Sequence, residues 1–120
     1  MLVVDDQEAF RRAMTAVVEE TDGFVVAGSV ASGEDALVSA AAVRPDLVLM
    51  DVHLPGIDGL EASRRLTQGG SGSVVVLLST YDEDQVEVAG SGAAAYVPKA
   101  AFGPDRLAEI WERHGQDAVA

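Results

Sequence analysis

Asp51 is the residue on which the chemistry of this chain converges. It follows the apolar run Leu47-Val48-Leu49-Met50 and precedes the turn-rich stretch Val52-His53-Leu54-Pro55-Gly56-Ile57-Asp58-Gly59. A short apolar run bounded by turn signals reads as a fully buried strand. That strand delivers a carboxylate to its C-terminal end, where its hydrophobic cover stops. Three more polar signals fall at matching places. Asp5 and Asp6 follow Leu2 to Val4, Ser79 and Thr80 follow Val74 to Leu78, and Pro98 and Lys99 follow Ala95 to Val97. Taken singly, each has a bland reading: a turn residue, a helix cap or a surface charge. Four of them at the C-terminal ends of four strands share one edge of a sheet. In open parallel α/β sheets that edge is where ligands bind.

Neighbouring strands lie about 4.8 Å apart. If the first and third strands are adjacent, Asp5, Asp6 and Asp51 crowd three carboxylates into one crevice. Like charges that close raise one another's pKa or demand a cation. Mg²⁺ suits such a place, because it is a hard ion that takes one or two carboxylates, keeps several waters and favours phosphate. The Ser79 hydroxyl and the Lys99 ammonium border the same pocket. A carboxylate nucleophile, a divalent cation, a hydroxyl and an ammonium make a site for phosphoryl transfer, where positioning and charge neutralisation supply most of the catalysis.

The elements that must position these groups follow from periodicity. Leu2 to Val4 is a first strand. Gln7 to Glu20 carries Ala9, Phe10, Ala13, Met14 and Val17 at helical spacing. Phe24 to Ala27 reads as a β-branched second strand after the Asp22-Gly23 turn. Ser32 is the N-cap of a helix that Pro45 terminates near Val43, with an acid, Asp35, three residues after the cap. A third helix runs from Ile57 or Asp58 to about Thr67, and Gly69 to Ser73 is a surface connection. Asp82 to Ala89 is helical in character but cut short by Gly90 and Gly92. Phe102 to Arg113 is the last helix, with Pro104 in its first turn and Leu107, Ile110 and Trp111 on its apolar face. The tail after Gly115 is expected to fray. Strand and helix alternate five times, which implies an α/β doubly wound parallel sheet, (βα)5, of flavodoxin-like order 2-1-3-4-5.

Composition sets the remaining bounds. The 120 residues suit one domain with a real core, and there is no cysteine, signal peptide or membrane-length apolar run. A cytoplasmic protein without disulfides is expected. The formal net charge of -12 argues against this domain holding nucleic acid by itself, since backbone binding needs clustered Lys and Arg. Lys99 is the single lysine among eight basic residues, which marks the position.

With these residues in order, the whole chain resembles the receiver domain of bacterial two-component response regulators, most of all receivers of the NarL/LuxR type. The resemblance rests on Val-Val-Asp-Asp-Gln, Leu-Met-Asp-Val-His-Leu-Pro-Gly, Leu-Ser-Thr-Tyr-Asp and Tyr-Val-Pro-Lys. It implies that Asp51 is the phosphoacceptor, that Asp6 binds Mg²⁺ directly and Asp5 mostly through water, and that the His53 backbone carbonyl adds a ligand. It also implies that Ser79, rather than Thr80, is the switch hydroxyl, Tyr96 the switch aromatic and Lys99 the family's lysine. The implied partner is a histidine kinase, with homodimerisation compatible. The implied whole is first a longer regulator whose DNA-binding output domain lies outside residues 1–120, with a free-standing receiver the second reading.

Two features depart from the family pattern. Pro98 precedes Lys99 and Ala100 follows it, whereas the family places a proline after the lysine. The segment from Ser79 to Lys99 is also about two residues short, which bears on the fourth helix and on output surfaces. Competing readings are a pseudo-receiver used for docking without phosphorylation, an aspartyl phosphohydrolase and a flavin-binding protein. Intact Asp6, Asp51, Ser79 and Lys99 disfavour the first. His53, standing where a second acid is wanted, disfavours the second, and Asp5-Asp6 would repel phosphate in the third.

Overall fold

The computed structural model describes residues 1–69, 72–79 and 90–119. Its elements are β1 (Leu2–Val4), α1 (Glu8–Glu20), β2 (Gly28–Val30), α2 (Gly33–Val43), β3 (Leu47–Asp51), α3 (Gly59–Gln68), β4 (Val74–Ser79), β5 (Ala95–Pro98), a 3₁₀ turn (Lys99–Ala101) and α4 (Pro104–Val119). The five strands form one parallel sheet in the order β2-β1-β3-β4-β5, as the alternation of elements implies. The expected helix at Asp82 to Ala89, and Thr80, lie outside the described residues.

Side-chain alternation along the strands splits the core into two layers. Leu2, Val4, Val48, Met50, Val75 and Leu77 face the layer that contains α2 and α3 residues such as Ala36, Ala40, Ala62 and Leu66. Val3, Leu47, Leu49, Val76, Leu78 and Val97 face the other layer, with Met14 and Val18 of α1 and Leu107 and Ile110 of α4. The central strands are buried along their whole length, which explains why they read as continuous apolar runs.

Local signals account for the starts of α2 and α3. The Ser32 hydroxyl accepts from the backbone N–H of Asp35 at 3.1 Å, so the predicted cap is formed. Asp58 caps α3 in the same way, accepting from Glu61 N at 2.8 Å. On α4, Leu107 and Ile110 are buried, and Trp111 meets Phe24 edge-on at 6.2 Å between ring centroids.

Three expectations need correction. The second strand pairs at Gly28–Val30, not Phe24–Ala27. The earlier residues run beside the start of β1, through Met1 N to Val25 O at 2.8 Å and Ala27 N to Met1 O at 2.7 Å, but fall short of the ladder. β-Branched residues marked an extended stretch, whereas register is fixed further on, where Leu2 opposes Gly28. On α1, Ala9 and Ala13 are exposed, and the buried stripe passes through Met14 and Val18. The last helix starts two residues later than expected, at Pro104, and continues past Gly115 to Val119.

Candidate functional site

Register builds the site. Val4 pairs with Met50, so the next residues, Asp5 and Asp51, emerge side by side at the C-terminal edge. Alternation assigns both to the layer covered by α1 and α4, because Val3 and Leu49 face that way. On the other side of β3, Asp51 registers with Leu78, which leaves Ser79 at the end of β4 and opposite Pro98 of β5. Lys99 opens the 3₁₀ turn directly after β5.

These groups meet. Carboxylate oxygens of Asp5, Asp6 and Asp51 lie within 4.8 Å of one another. Asp5 is fully buried, Asp51 is 6% exposed and Asp6 faces solvent. The Lys99 ammonium donates to Asp5 Oδ2 at 2.8 Å and to Asp51 Oδ2 at 3.4 Å. Lys99 therefore favours Asp5 over Asp51, a preference that spacing along the chain does not reveal. Backbone donors hold the remaining oxygens. Gln7 N reaches Asp5 Oδ1 at 2.8 Å, and His53 N reaches Asp51 Oδ1 at 3.1 Å. Arg11 Nη1 donates to the Asp5 carbonyl at 2.6 Å, tying α1 to the end of β1.

The electrostatics follow from burial. Removal from water raises the Asp51 pKa, and the charge of Asp5 adds to this; the His53 N–H and the Lys99 ammonium oppose it without cancelling it. For Lys99, burial acts to lower the pKa, but the hydrogen bond and charge of Asp5, together with Asp51, outweigh it, and the net direction is upward. The ammonium is thus held charged against two acids. Three oxygen donors with one open to solvent fit a hard divalent cation.

Tyr96 is buried in the α2–α3 layer, opposite Leu77 of β4, and Ser79 is fully buried. The His53 side chain is exposed. Three contributors escaped the sequence reading. Gln7 acts on Asp5 through its backbone N–H, for which residue type gives little signal, and Arg11 acts through a guanidinium that reaches back to the Asp5 carbonyl, a contact that helical spacing alone does not mark. Gly59 fell at the junction of the Pro/Gly-rich turn and the start of the expected third helix, with no sign there that it is a close-approach site. A Cβ there would stand within 2.8 Å of Val52 Cα and closer still to the Asp51 carbonyl oxygen. Gly59→Ala is expected to cost about 2 kcal/mol, as an overpacked site does, because the obstructing atoms are backbone. A urea melt measures that loss, and a variant as stable as the parent would refute it.

A carboxylate at the switch point of a doubly wound sheet, paired with two more acids and a lysine, defines a phosphoacceptor-type acidic pocket rather than the substrate cleft of a conventional enzyme. The family model described as the response regulator receiver domain matches residues 1–112, and the chain belongs to that family. The response regulator GacA of Pseudomonas viridiflava is 41% identical over 103 residues, covering 84% of this chain and 48% of its own length. The receiver domain of the response regulator NarL of Mycobacterium tuberculosis superposes with a TM-score of 0.81 at 27% identity, over 99% of this chain and 94% of that one. A LuxR-family two-component response regulator from Aurantimonas gives a TM-score of 0.84 at 26% identity, over 96% and 83%. The chain spans about half the length of the curated relatives it matches. Among the described residues, no helix is long and apolar enough to cross a membrane.

Proposed function

We propose that this domain is a phosphorylation-dependent switch, with Asp51 accepting a phosphoryl group from the phosphohistidine of a cognate histidine kinase. The observation that carries this reading is the crowding of Asp5, Asp6 and Asp51 within 4.8 Å, with the Lys99 ammonium against two of them. A carboxylate oxygen of Asp51 attacks phosphorus as the P–N bond breaks. The imidazole leaves and takes up a proton, and an acyl phosphate remains. Attack by water later returns the carboxylate and inorganic phosphate.

The His53 N–H holds the Asp51 carboxylate in place, and Lys99 is within a short shift of a phosphoryl group on it. Ser79 supplies the hydroxyl that the phosphoryl oxygens draw in. Tyr96 is the aromatic whose burial the change would favour, a local charge event biasing a two-state element. Asp6, Asp51 and the His53 carbonyl would hold Mg²⁺, with Asp5 acting mostly through water. When bound, the ion neutralises charge on the phosphate oxygens.

We further read residues 1–120 as one receiver domain of a longer cytoplasmic regulator with a DNA-binding output half. The half-length match to full regulators supports this. DNA contact belongs to that output half, since the net charge of -12 leaves this domain unsuited to it. Homodimerisation fits a regulator of this type.

Incubation with acetyl phosphate and Mg²⁺, followed by intact-mass measurement, tests the reading. One phosphoryl adduct on the wild type and none on Asp51→Asn is the expected result. No adduct, under conditions that label other receivers, would instead indicate a docking module. Turnover of added phosphate esters would indicate a hydrolase.

A further inference from the structure

We propose that Phe10 is a positioning residue for Lys99, its ring face forming with Asp5 the seat that keeps the ammonium against Asp51 during phosphoryl uptake. This rests on the phosphoacceptor reading and adds a residue to it. The Lys99 Nζ lies 4.1 Å from the centroid of the Phe10 ring. That is well inside the distance of about 6 Å at which an aromatic quadrupole attracts a cation. An ammonium has three N–H groups to place. Asp5 Oδ2 at 2.8 Å and Asp51 Oδ2 at 3.4 Å accept on two sides, and the ring closes a third. The lysine side chain is only 10% exposed, so the ring stands where water would otherwise solvate the charge.

The seat is built into the fold. Phe10 and Arg11 both donate their backbone N–H to Gln7 O at 3.1 Å, forming the first turn of α1. Arg11 also donates to the Asp5 carbonyl, and Gln7 N to the Asp5 carboxylate. The ring is therefore tied to Asp5 on both sides of it, by the Gln7 backbone N–H and by the Arg11 guanidinium. Attraction to a ring face lacks the directionality of a hydrogen bond. The ammonium can move from Asp5 toward a group on Asp51 while staying over the ring.

Phe10→Leu keeps an apolar side chain but removes the quadrupole, and Phe10→Trp restores it. Labelling by acetyl phosphate at saturating Mg²⁺ is expected to slow roughly three- to tenfold in Phe10→Leu and to recover in Phe10→Trp. The Mg²⁺ dissociation constant, by calorimetry, should be unchanged. In a Lys99→Met background, Phe10→Leu should add no further slowing. Because Lys99 is the only lysine, ε-¹³C-lysine labelling gives a single signal, whose ε-protons the ring shifts upfield. That shift should vanish in Phe10→Leu and persist in Phe10→Trp.

Wild-type rates in Phe10→Leu would overturn the proposal. So would equal slowing in the Lys99→Met background, or Mg²⁺ binding weakened by the same factor, since either means that the ring only supports α1. If the wild type takes no label at all, the phosphoacceptor reading fails, but the lysine signal still decides the seat. An upfield shift lost in Phe10→Leu supports it, and an unshifted wild-type signal overturns it.

Discussion

Lys99→Met is expected to destabilise the metal-free protein by about 3–5 kcal/mol, the usual cost of removing one partner from a buried charge cluster. Asp5 is fully buried and the Asp51 side chain is 8% exposed, so neither acid has much water to fall back on. The Lys99 ammonium bonds to both, and among the described residues no other side-chain ion pair to either is present. Methionine retains most of the apolar stem, so the loss reports charge rather than packing. The pH dependence has a definite sign. Burial lowers the lysine pKa, but Asp5 and Asp51 raise it further, and the net shift is upward. A raised lysine contributes stability that is complete below its unfolded pKa, about 10.4, and is lost as pH rises through the folded value. The deficit of Lys99→Met should therefore hold across neutral pH, fade at strongly alkaline pH, and shrink in acid as Asp51 protonates. Urea melts in chelator measure it, and Mg²⁺ should recover a large part of it. A melt within about 1 kcal/mol of the wild type, well under the range for buried pairs, would show that the lysine is not the counter-ion these acids rely on.

The sheet was legible because its signals are long and redundant. Apolar runs at Leu47 and Val74, short and bounded by turn signals, read as buried strands, and their order followed from the alternation with helices. Asp51 was legible for the same reason, since it ends the clearest run in the chain. The second strand was not, because an edge strand of three residues carries little pattern and its register depends on β1 rather than on its own β-branched neighbours. The distribution of Lys99 between Asp5 and Asp51 was also hidden. It depends on the 3₁₀ turn after Pro98, which the departure from the usual lysine-proline order left undetermined. Phe10 looked like one more apolar position on an amphipathic helix. Only the tertiary fold puts a cation on its face. Residue type and spacing thus foretold which groups gather, while the backbone decides how they share charge.

Asp51→Asn should do two opposite things, and together they separate the function of the pocket from its stability. Phosphoryl uptake should vanish, because an amide offers no carboxylate nucleophile. In the absence of metal, the same variant should fold more stably at neutral pH, with a melting temperature a few degrees higher. The reason is the raised pKa of Asp51, caused chiefly by burial and reinforced by Asp5. A carboxylate with a raised folded pKa contributes stability that is complete below its unfolded value, near 3.8, and is lost as pH rises through the folded value. Above the folded pKa the wild type carries the ionised form, which costs stability, whereas asparagine never ionises. Asparagine can still accept from His53 N through its carbonyl oxygen, although its amide then faces Lys99 and limits the gain. The advantage of the variant should be largest above the folded pKa and disappear as pH falls toward the unfolded one. Mg²⁺ should narrow it as well, since a cation that binds the native wild type stabilises it by mass action and the amide is the poorer ligand. Thermal melts between pH 4 and 8, in chelator and in Mg²⁺, test each part. A less stable variant at neutral pH, or an advantage that grows in acid, would mean that Asp51 is not under electrostatic strain. The pocket would then have no stored reason to bind a metal and take up phosphorus.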